Sequence, residues 1–333
     1  MGERKLQGML IVTVGLPASG KTSWVKEFIE DDNKDKTIDI ISSDKIREEI
    51  FKDISDQNHN NEVFDIMKRR AKESLSQGHI VVYEATNISS KRRRALLKEL
   101  KRYYDKAICL FKYKSVVDCD IDNCIREKKV PNDVIERMYK NFEIPHKNEG
   151  FDEIIIDWDY KFNRFLGNKS RTSIGITKDR FIQDMNYTEY IELLYELGQG
   201  YCVEMPQDSK WHTLSLSKHM YFCYKKIKEN SNDTNLIIAS MLHDIGKPIV
   251  KTIDKEGRYS HYYNHENVSA YDVIGILARY TKLDIEDILE IAWLIGNHMK
   301  LKKNIDKDKF SNIIGYDDYL RLEALDNADN SAK

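Results

Sequence analysis

The chain has 333 residues, with 53 Lys and Arg against 55 Asp and Glu for a formal charge of −2, and is 41% hydrophobic and 10% aromatic. That length exceeds the usual domain of about 100–200 residues and the apolar content suffices for two cores, so two domains are expected and general disorder is excluded. The near-zero charge excludes a uniformly basic nucleic-acid binder, while leaving room for a local basic groove.

In chain order, the apolar run 9–16 is far too short to span a membrane. It lacks a small-residue cleavage site and leads into a glycine-rich turn, so it is read as a strand and not as a secretion signal. Continuous apolar, β-branched runs at 9–14, 38–41, 80–83, 107–111 and 153–156 predict buried strands. Amphipathic stretches at 22–29, 44–51, 62–76, 89–104, 116–128 and 132–142 predict helices between them. This alternation implies an α/β domain, a parallel sheet flanked by helices, over 1–158. Residues 159–185, polar and aperiodic at first, read as a linker. Helical spacing at 187–197, 213–229, 236–243, 267–279, 285–297 and 316–328 then predicts an all-α domain over 186–333. The five cysteines (109, 119, 124, 202 and 223) form no CxxC pair or disulfide framework, which fits a reducing cytoplasmic compartment and no membrane partner.

Residues 15–22, GLPASGKT, match GxxxxGK[ST] between a strand and a helix, the context a phosphate-binding turn requires. Gly15, Ser19 and Gly20 would line a turn whose backbone N–H groups face phosphates at a helix N-terminus. Lys21 would neutralise the β- and γ-phosphates of ATP or another nucleoside triphosphate, and the Thr22 hydroxyl would reach Mg²⁺. After the second strand comes Ser43-Asp44-x-x-Arg47. An acid at the carboxyl end of such a strand faces the ligand crevice and can take a proton from an attacking hydroxyl. Taken alone, Asp44 reads as a helix N-cap. Glu84-Ala85-Thr86-Asn87 ends the third strand, Lys91-Arg92-Arg93-Arg94 follows, and Asn123-x-x-Arg126 precedes Val130-Pro131.

Together these motifs resemble the kinase domain of polynucleotide 5′-kinases over roughly residues 8–158. The resemblance implies Asp44 as general base on a 5′-hydroxyl and Arg47 on the acceptor's phosphate. It also implies Thr86 and Asn87 at the acceptor and Arg126 as a lid contact to ATP. The family pattern leads one to expect Asp immediately before Thr-Asn, where this chain has Ala85 with Glu84 one step earlier. Residues 68–106 hold 12 Lys or Arg against 4 acids, whereas 22–66 hold 6 against 13. The run 91–94, Arg93 included, therefore reads as a footprint for polynucleotide phosphates, with a solvated helix face as the plainer reading.

Six of the nine histidines lie between 212 and 298. Imidazole with carboxylate is a ligand set for divalent transition metals, and helices can bring such groups into one bundle core. His219, His243, Asp244 and a late acid, Asp326 or Asp329, would hold one ion; His265 and His298 would recruit a second. His212 and His261 read as outer groups, and Lys247 as a contact to a substrate phosphate or, more plainly, a surface lysine. The ordered set resembles the HD phosphohydrolase superfamily over roughly 200–333, with Asp329 closer than Asp326 to its closing acid. This implies one or two divalent metals (Mn, Ni, Co, Zn or Fe).

The two resemblances joined imply a bifunctional end-healing enzyme. It would phosphorylate 5′-OH ends of RNA or DNA with ATP and Mg²⁺. It would also remove 3′-phosphate or 2′,3′-cyclic phosphate, with an RNA ligase acting afterwards. Two other readings stand beside it: a nucleoside or nucleotide kinase fused to an HD nucleotide phosphohydrolase, and a nucleotide-responsive regulator with a degenerate HD half.

Overall fold

The computed structural model describes residues 8–31, 37–54, 56, 58–158, 175–208 and 213–332. The chain divides into two compact units, 1–136 with 145–162, and 137–144 with 163–333.

In the first unit the elements are β1 (Gly8–Val14), α1 (Lys21–Asp31), β2 (Ile38–Ser42), α2 (Ser43–Phe51), α3 (Asn60–Ser76), β3 (Ile80–Glu84), α4 (Ser90–Leu100), β4 (Tyr104–Tyr113), α5 (Val116–Ile125) and β5 (Glu153–Trp158). The strands form one parallel sheet in the order β2-β3-β1-β4-β5. Parallel neighbours need crossover connections, and the helices between strands supply them. Their apolar runs are continuous because helices cover the sheet: Leu10, Val12, Val81, Val82 and Leu110 are buried. Ile11, Val25, Ile80, Val82 and Leu110 form one core cluster, with Trp24 and Phe28 of α1 packed against it. Because β1 lies between β3 and β4, the strand order reverses beside it. A crevice at the carboxyl ends of the strands is the usual consequence.

Helix α6 spans Asn132–Lys140, and residues 137–144 count with the second unit. There the Phe142 ring meets Tyr271 edge-on at 4.9 Å. The Tyr139 hydroxyl donates to Asp272 at 2.6 Å. The remaining elements are α7 (Lys178–Ile182), α8 (Tyr187–Glu196), α9 (Leu216–Asn230), α10 (Thr234–Leu242), α11 (Lys247–Val250), the two-residue strands β6 (Thr252–Ile253) and β7 (Ser260–His261), α12 (His265–Tyr280), α13 (Ile285–Asn297), α14 (Lys307–Ile314) and α15 (Tyr316–Ser331). Helices α9, α10, α12 and α13 bury Met220, Tyr224, Ile237, Ile238, Tyr271, Ile274 and Leu294 in their core.

Several boundaries differ from the sequence expectation for physical reasons. The helix expected to reach residue 104 stops at Leu100, because Tyr104 pairs with Gly8 and starts β4 early. The helix expected to reach 128 stops at Ile125, where the Asn123 side chain clasps Val130 through its N–H (2.9 Å) and carbonyl (2.7 Å). The pattern showed neither α14 nor the β6–β7 hairpin, too short to carry a period. Of the stretch read as linker, 159–174 lie outside the described residues, while Ile176 bridges Thr281 and α7 follows.

Candidate active sites

The first site starts at the turn between β1 and α1. A Cβ on Gly15 would lie 2.7 Å from both the Lys112 carbonyl and Ser19 Oγ, so glycine alone lets the turn pass beneath β4. Ser19 is buried and Gly20 has φ +94°. The Lys21 ammonium folds back onto the turn, donating to the carbonyls of Gly15 (3.1 Å) and Leu16 (2.7 Å). Burial pulls its pKa down to about 8; the Glu84 and Asp44 charges oppose this, and Arg126 adds to it. These three charges therefore gather around one ammonium, which is what a triphosphate-handling site needs.

Glu84 ends β3 and is buried, and Thr22 donates its hydroxyl to it at 2.5 Å. A carboxylate fixed on the turn's Thr is placed to share in holding Mg²⁺, whose ligands are oxygens. In the sequence Glu84 stands one residue before the expected acid and is a possible substitute for it. Its signal was the strand end itself, since the last residue of β3 reaches the crevice.

Asp44 sits in the first turn of α2 with its side chain 59% exposed, available to a substrate. Arg47 is buried and holds Asp44 Oδ1 at 3.2 Å, the Asp56 carbonyl at 2.8 Å and Asn60 Oδ1 at 2.7 Å. Its donors thus orient Asp44 and the segment after α2. Thr86 accepts Gly15 N–H through its carbonyl (3.1 Å), and Asn87, with φ +45°, donates to the Thr13 carbonyl (2.8 Å). Both tie the end of β3 to β1. Arg126 is exposed just beyond α5.

Arg93 is placed differently from the expectation. Its side chain is fully buried, with Nε and Nη2 on the two oxygens of Glu149, both at 2.6 Å, and Nη1 on the Asn87 carbonyl at 2.8 Å. It packs on the face of α4 shared with Leu96, Leu97 and Leu100, so it anchors the helix from inside and does not line the surface.

The second site is in the helical unit. His219 comes from α9, His243 and Asp244 from the turn after α10, His265 from the first turn of α12, His298 from the end of α13 and Asp329 from α15. All are buried. Each imidazole points Nδ1 at a backbone carbonyl: His219 at Ala332 (2.6 Å), His243 at Ser240 (2.9 Å), His265 at Tyr262 (2.7 Å) and His298 at Ile295 (2.7 Å). A proton on Nδ1 leaves each Nε2 lone pair aimed at a common centre. The Nε2 atoms of His219 and His243 are 3.3 Å apart, as are those of His265 and His298.

Asp244 stands between these pairs. Its Oδ2 is 3.3 Å from both His219 and His243 Nε2, and its Oδ1 is 3.0 Å from His265 and 3.7 Å from His298. Asp329 Oδ1 is 3.0 Å from His219 Nε2. Among the described residues three ligand groups arise: His219, His243 and Asp244; His243, His298 and Asp329; Asp244, His265 and His298. Asp326 is in none of them. Asp244 Oδ1 is buried and makes no hydrogen bond. An orphaned carboxylate oxygen amid convergent lone pairs is costly without a cation, so the donor set fits one or two divalent transition metals.

Two ammonium groups border the cluster. Lys247, read as a surface lysine, is buried and lies 2.6 Å from Asp244 Oδ2, also donating to Gln207 (2.7 Å). Its spacing of three from Asp244 on a helical turn was the available signal. Lys302 pairs with Asp329. A Cβ on Gly246 would fall 2.7 Å from Ser269 N, so its absence lets the His243–Asp244 turn press against α12 and meet His265. His261 stacks on Tyr263 outside the cluster, and His212 lies outside the described residues. Among the described residues, no helix is long and apolar enough to cross a membrane.

Comparison with known proteins agrees with both halves. The AAA domain family matches residues 10–145 and the HD domain family residues 212–330. The L-seryl-tRNA(Sec) kinase of Methanococcus maripaludis is 28% identical over 183 residues, 52% of this chain and 70% of that protein. Protein GlcT of Staphylococcus epidermidis is 23% identical over 46% of this chain and 62% of its own. Among solved structures, a chain of the Pnkp1/Rnl/Hen1 RNA repair complex aligns at 20% identity and TM-score 0.36, over 41% of this chain. A second structure of that complex aligns at 16% identity and TM-score 0.32, over 40%. This chain spans 44% and 43% of those two chains, less than half of each. A P-loop kinase domain of the AAA class and an HD phosphohydrolase domain are thus joined in one polypeptide.

Proposed function

We propose that the protein heals broken polynucleotide ends, RNA above all, with two chemistries in one chain. The P-loop half would phosphorylate a 5′-hydroxyl. That oxygen attacks the γ-phosphorus of ATP while its proton passes to Asp44, and the bond to the departing ADP oxygen breaks. Arg47 keeps the Asp44 carboxylate aimed, Lys21 and Arg126 balance phosphate charge, and Thr22 with Glu84 would hold Mg²⁺. Thr86 and Asn87 would shape the acceptor side of the crevice.

The helical half would remove a 3′-phosphate or open a 2′,3′-cyclic phosphate. Divalent ions held by His219, His243, Asp244, His265, His298 and Asp329 would supply an activated water and charge neutralisation for phosphoester cleavage. The carbonyl-tethered imidazoles keep their geometry fixed, and Lys247 and Lys302 add positive charge beside it.

The observation that carries this reading is the exposed, Arg47-oriented Asp44 beside an intact phosphate-binding turn, in the same chain as a six-residue metal cage. A relative named as a kinase of L-seryl-tRNA(Sec) supports an acceptor attached to RNA. The test uses RNA with a 5′-OH and a 2′,3′-cyclic phosphate, ATP, and Mn²⁺, Ni²⁺ or Co²⁺ in turn, with a free nucleoside as competing acceptor. Both RNA ends should change. Lys21→Ala should abolish phosphorylation alone and Asp244→Ala phosphate removal alone. Phosphorylation of the nucleoside only would refute the polynucleotide reading.

A further inference from the structure

The basic excess of residues 68–106 is unevenly neutralised. On α3, Lys68 pairs with Asp65 (2.7 Å) and Glu99, Arg69 with Glu73 (3.7 Å), Arg70 with Glu49 (2.6 Å) and Lys72 with Glu99 (2.6 Å). Lys106 pairs with Glu153 at 2.7 Å. On α4 and the single turn after it, the cations stand otherwise. Lys91, Arg92 and Lys98 are exposed and have no carboxylate within ion-pair distance among the described residues. Arg94 reaches only Ser90 Oγ (2.8 Å), while Lys101 and Arg102 lie over the rings of Tyr104 (5.0 Å) and Tyr103 (5.2 Å).

Helical spacing explains the pattern. Arg93, Leu96, Leu97 and Leu100 take the buried face, so 91, 94, 98 and 101–102 follow one another along the outer side at three- and four-residue steps. The stripe also has a defined origin. Gly15 N–H bonds the Thr86 carbonyl, Asn87 bonds Thr13, and Arg93 bonds the Asn87 carbonyl. The first turn of α4 is therefore tied rigidly to the phosphate-binding turn. From there, α4 and its last turn extend about 20 Å.

We propose that this stripe is the track for a single polynucleotide strand, carrying its phosphates away from the acceptor crevice for about six nucleotides at a stacked rise of roughly 3.4 Å. It rests on the polynucleotide reading of the kinase half and extends it with residues Lys98, Lys101 and Arg102, which lie too far along the helix to touch the reacting end. A stripe of exposed cations without carboxylate partners is the electrostatic equipment for sequence-independent strand binding.

The triple variant Lys98→Gln/Lys101→Gln/Arg102→Gln tests it. Each lost phosphate contact lowers the salt slope of log K by about 0.7, so three should lower it by about 2 and weaken binding on the order of 100-fold at 0.1 M salt. Binding of a fluorescent 16-mer with a 5′-OH is measured by anisotropy from 50 to 200 mM salt, beside kinase KM for the 16-mer and a trimer. The expected result is loss confined to the 16-mer, with circular dichroism unchanged. Equal affinity and slope in variant and wild type would overturn the track. So would a variant that loses binding to phosphatidylserine vesicles while holding the 16-mer as before. Anisotropy separates this proposal from its premise: strand binding lost in the variant with no phosphorylation by the wild type refutes the kinase reading and leaves the track standing.

Discussion

Replacing Arg93 by Met separates an internal anchor from a substrate contact. Arg93 and Glu149 have 0% and 1% side-chain exposure, and their two 2.6 Å contacts form a fork that no solvent reaches. Removing one partner of such a buried pair costs about 3–5 kcal/mol, and the Asn87 carbonyl loses a donor worth about 1 kcal/mol more. A total of about 4–6 kcal/mol approaches the whole stability of many domains. With a urea slope of about 2 kcal/mol/M, the midpoint of the P-loop unit should fall by about 2–3 M. Pulse proteolysis read on peptides from residues 8–136 isolates that transition from the helical unit. Arg93→Met/Glu149→Leu, which removes both charges together, should recover most of the loss. Arg92→Met, on the exposed face, should move the midpoint by less than about 0.3 M. An Arg93→Met protein with the wild-type midpoint and a raised KM for oligonucleotide would refute the anchor and return Arg93 to the substrate.

Three further outcomes follow from the sites. Glu84→Gln should lower kinase kcat by about 100-fold, an effect of about 2.7 kcal/mol. It should also raise the Mg²⁺ concentration for half-activity; a changed ATP KM at unchanged Mg²⁺ demand would argue against a metal role. His298→Ala should lower the Mn²⁺ bound per chain, measured by plasma mass spectrometry after dialysis, whereas Asp244→Ala should leave none. Asp272, on α12, has its carboxyl pushed up to about 6 by burial, against the hydrogen bond from Tyr139. Since the folded state keeps this proton between pH 4 and 6 while the unfolded chain loses it, stability from this group is greatest below pH 4 and falls as pH rises to 6. Asp272→Asn should therefore stabilise the helical unit by up to about 3 kcal/mol at pH 8 and by nothing at pH 3.5, read by urea titration at both values.

Much of the site was legible because its chemistry depends on local spacing. A glycine-rich turn between an apolar run and an amphipathic one needs no distant partner to be recognised, and GLPASGKT occupies that place. The histidines are legible as an ordered set, although nothing local shows that their Nε2 atoms converge. Where the reading erred, the deciding contact was distant. Tyr104 begins a strand because of Gly8, nearly a hundred residues earlier, and no helical pattern around it carries that information. Arg93 looked like its neighbours in a run of four cations. Its step of three, four and seven to Leu96, Leu97 and Leu100 marks the inward face, yet only Glu149 supplies the reason a charge can live there. Lys247 likewise owes its burial to Asp244 and Gln207, of which only the first is near in sequence.

The ligands of the cage also set an order of events for the chain as it is made. They lie at 219, 243, 244, 265, 298 and 329, on five different parts of the helical unit, so 110 residues separate the first from the last. Closing loops of that length is slow, and non-local contacts form late in folding. During synthesis, α9 to α12 can begin to gather around their apolar core before Asp329 has emerged. Full coordination waits for α15. An ion held by these residues would clasp the α15 ligand to the earlier ones, and its binding free energy would become folding free energy for the helical unit. Starving a cell of that metal should thus show first as an unclosed final helix, exposed to proteases, before any loss of the preceding bundle.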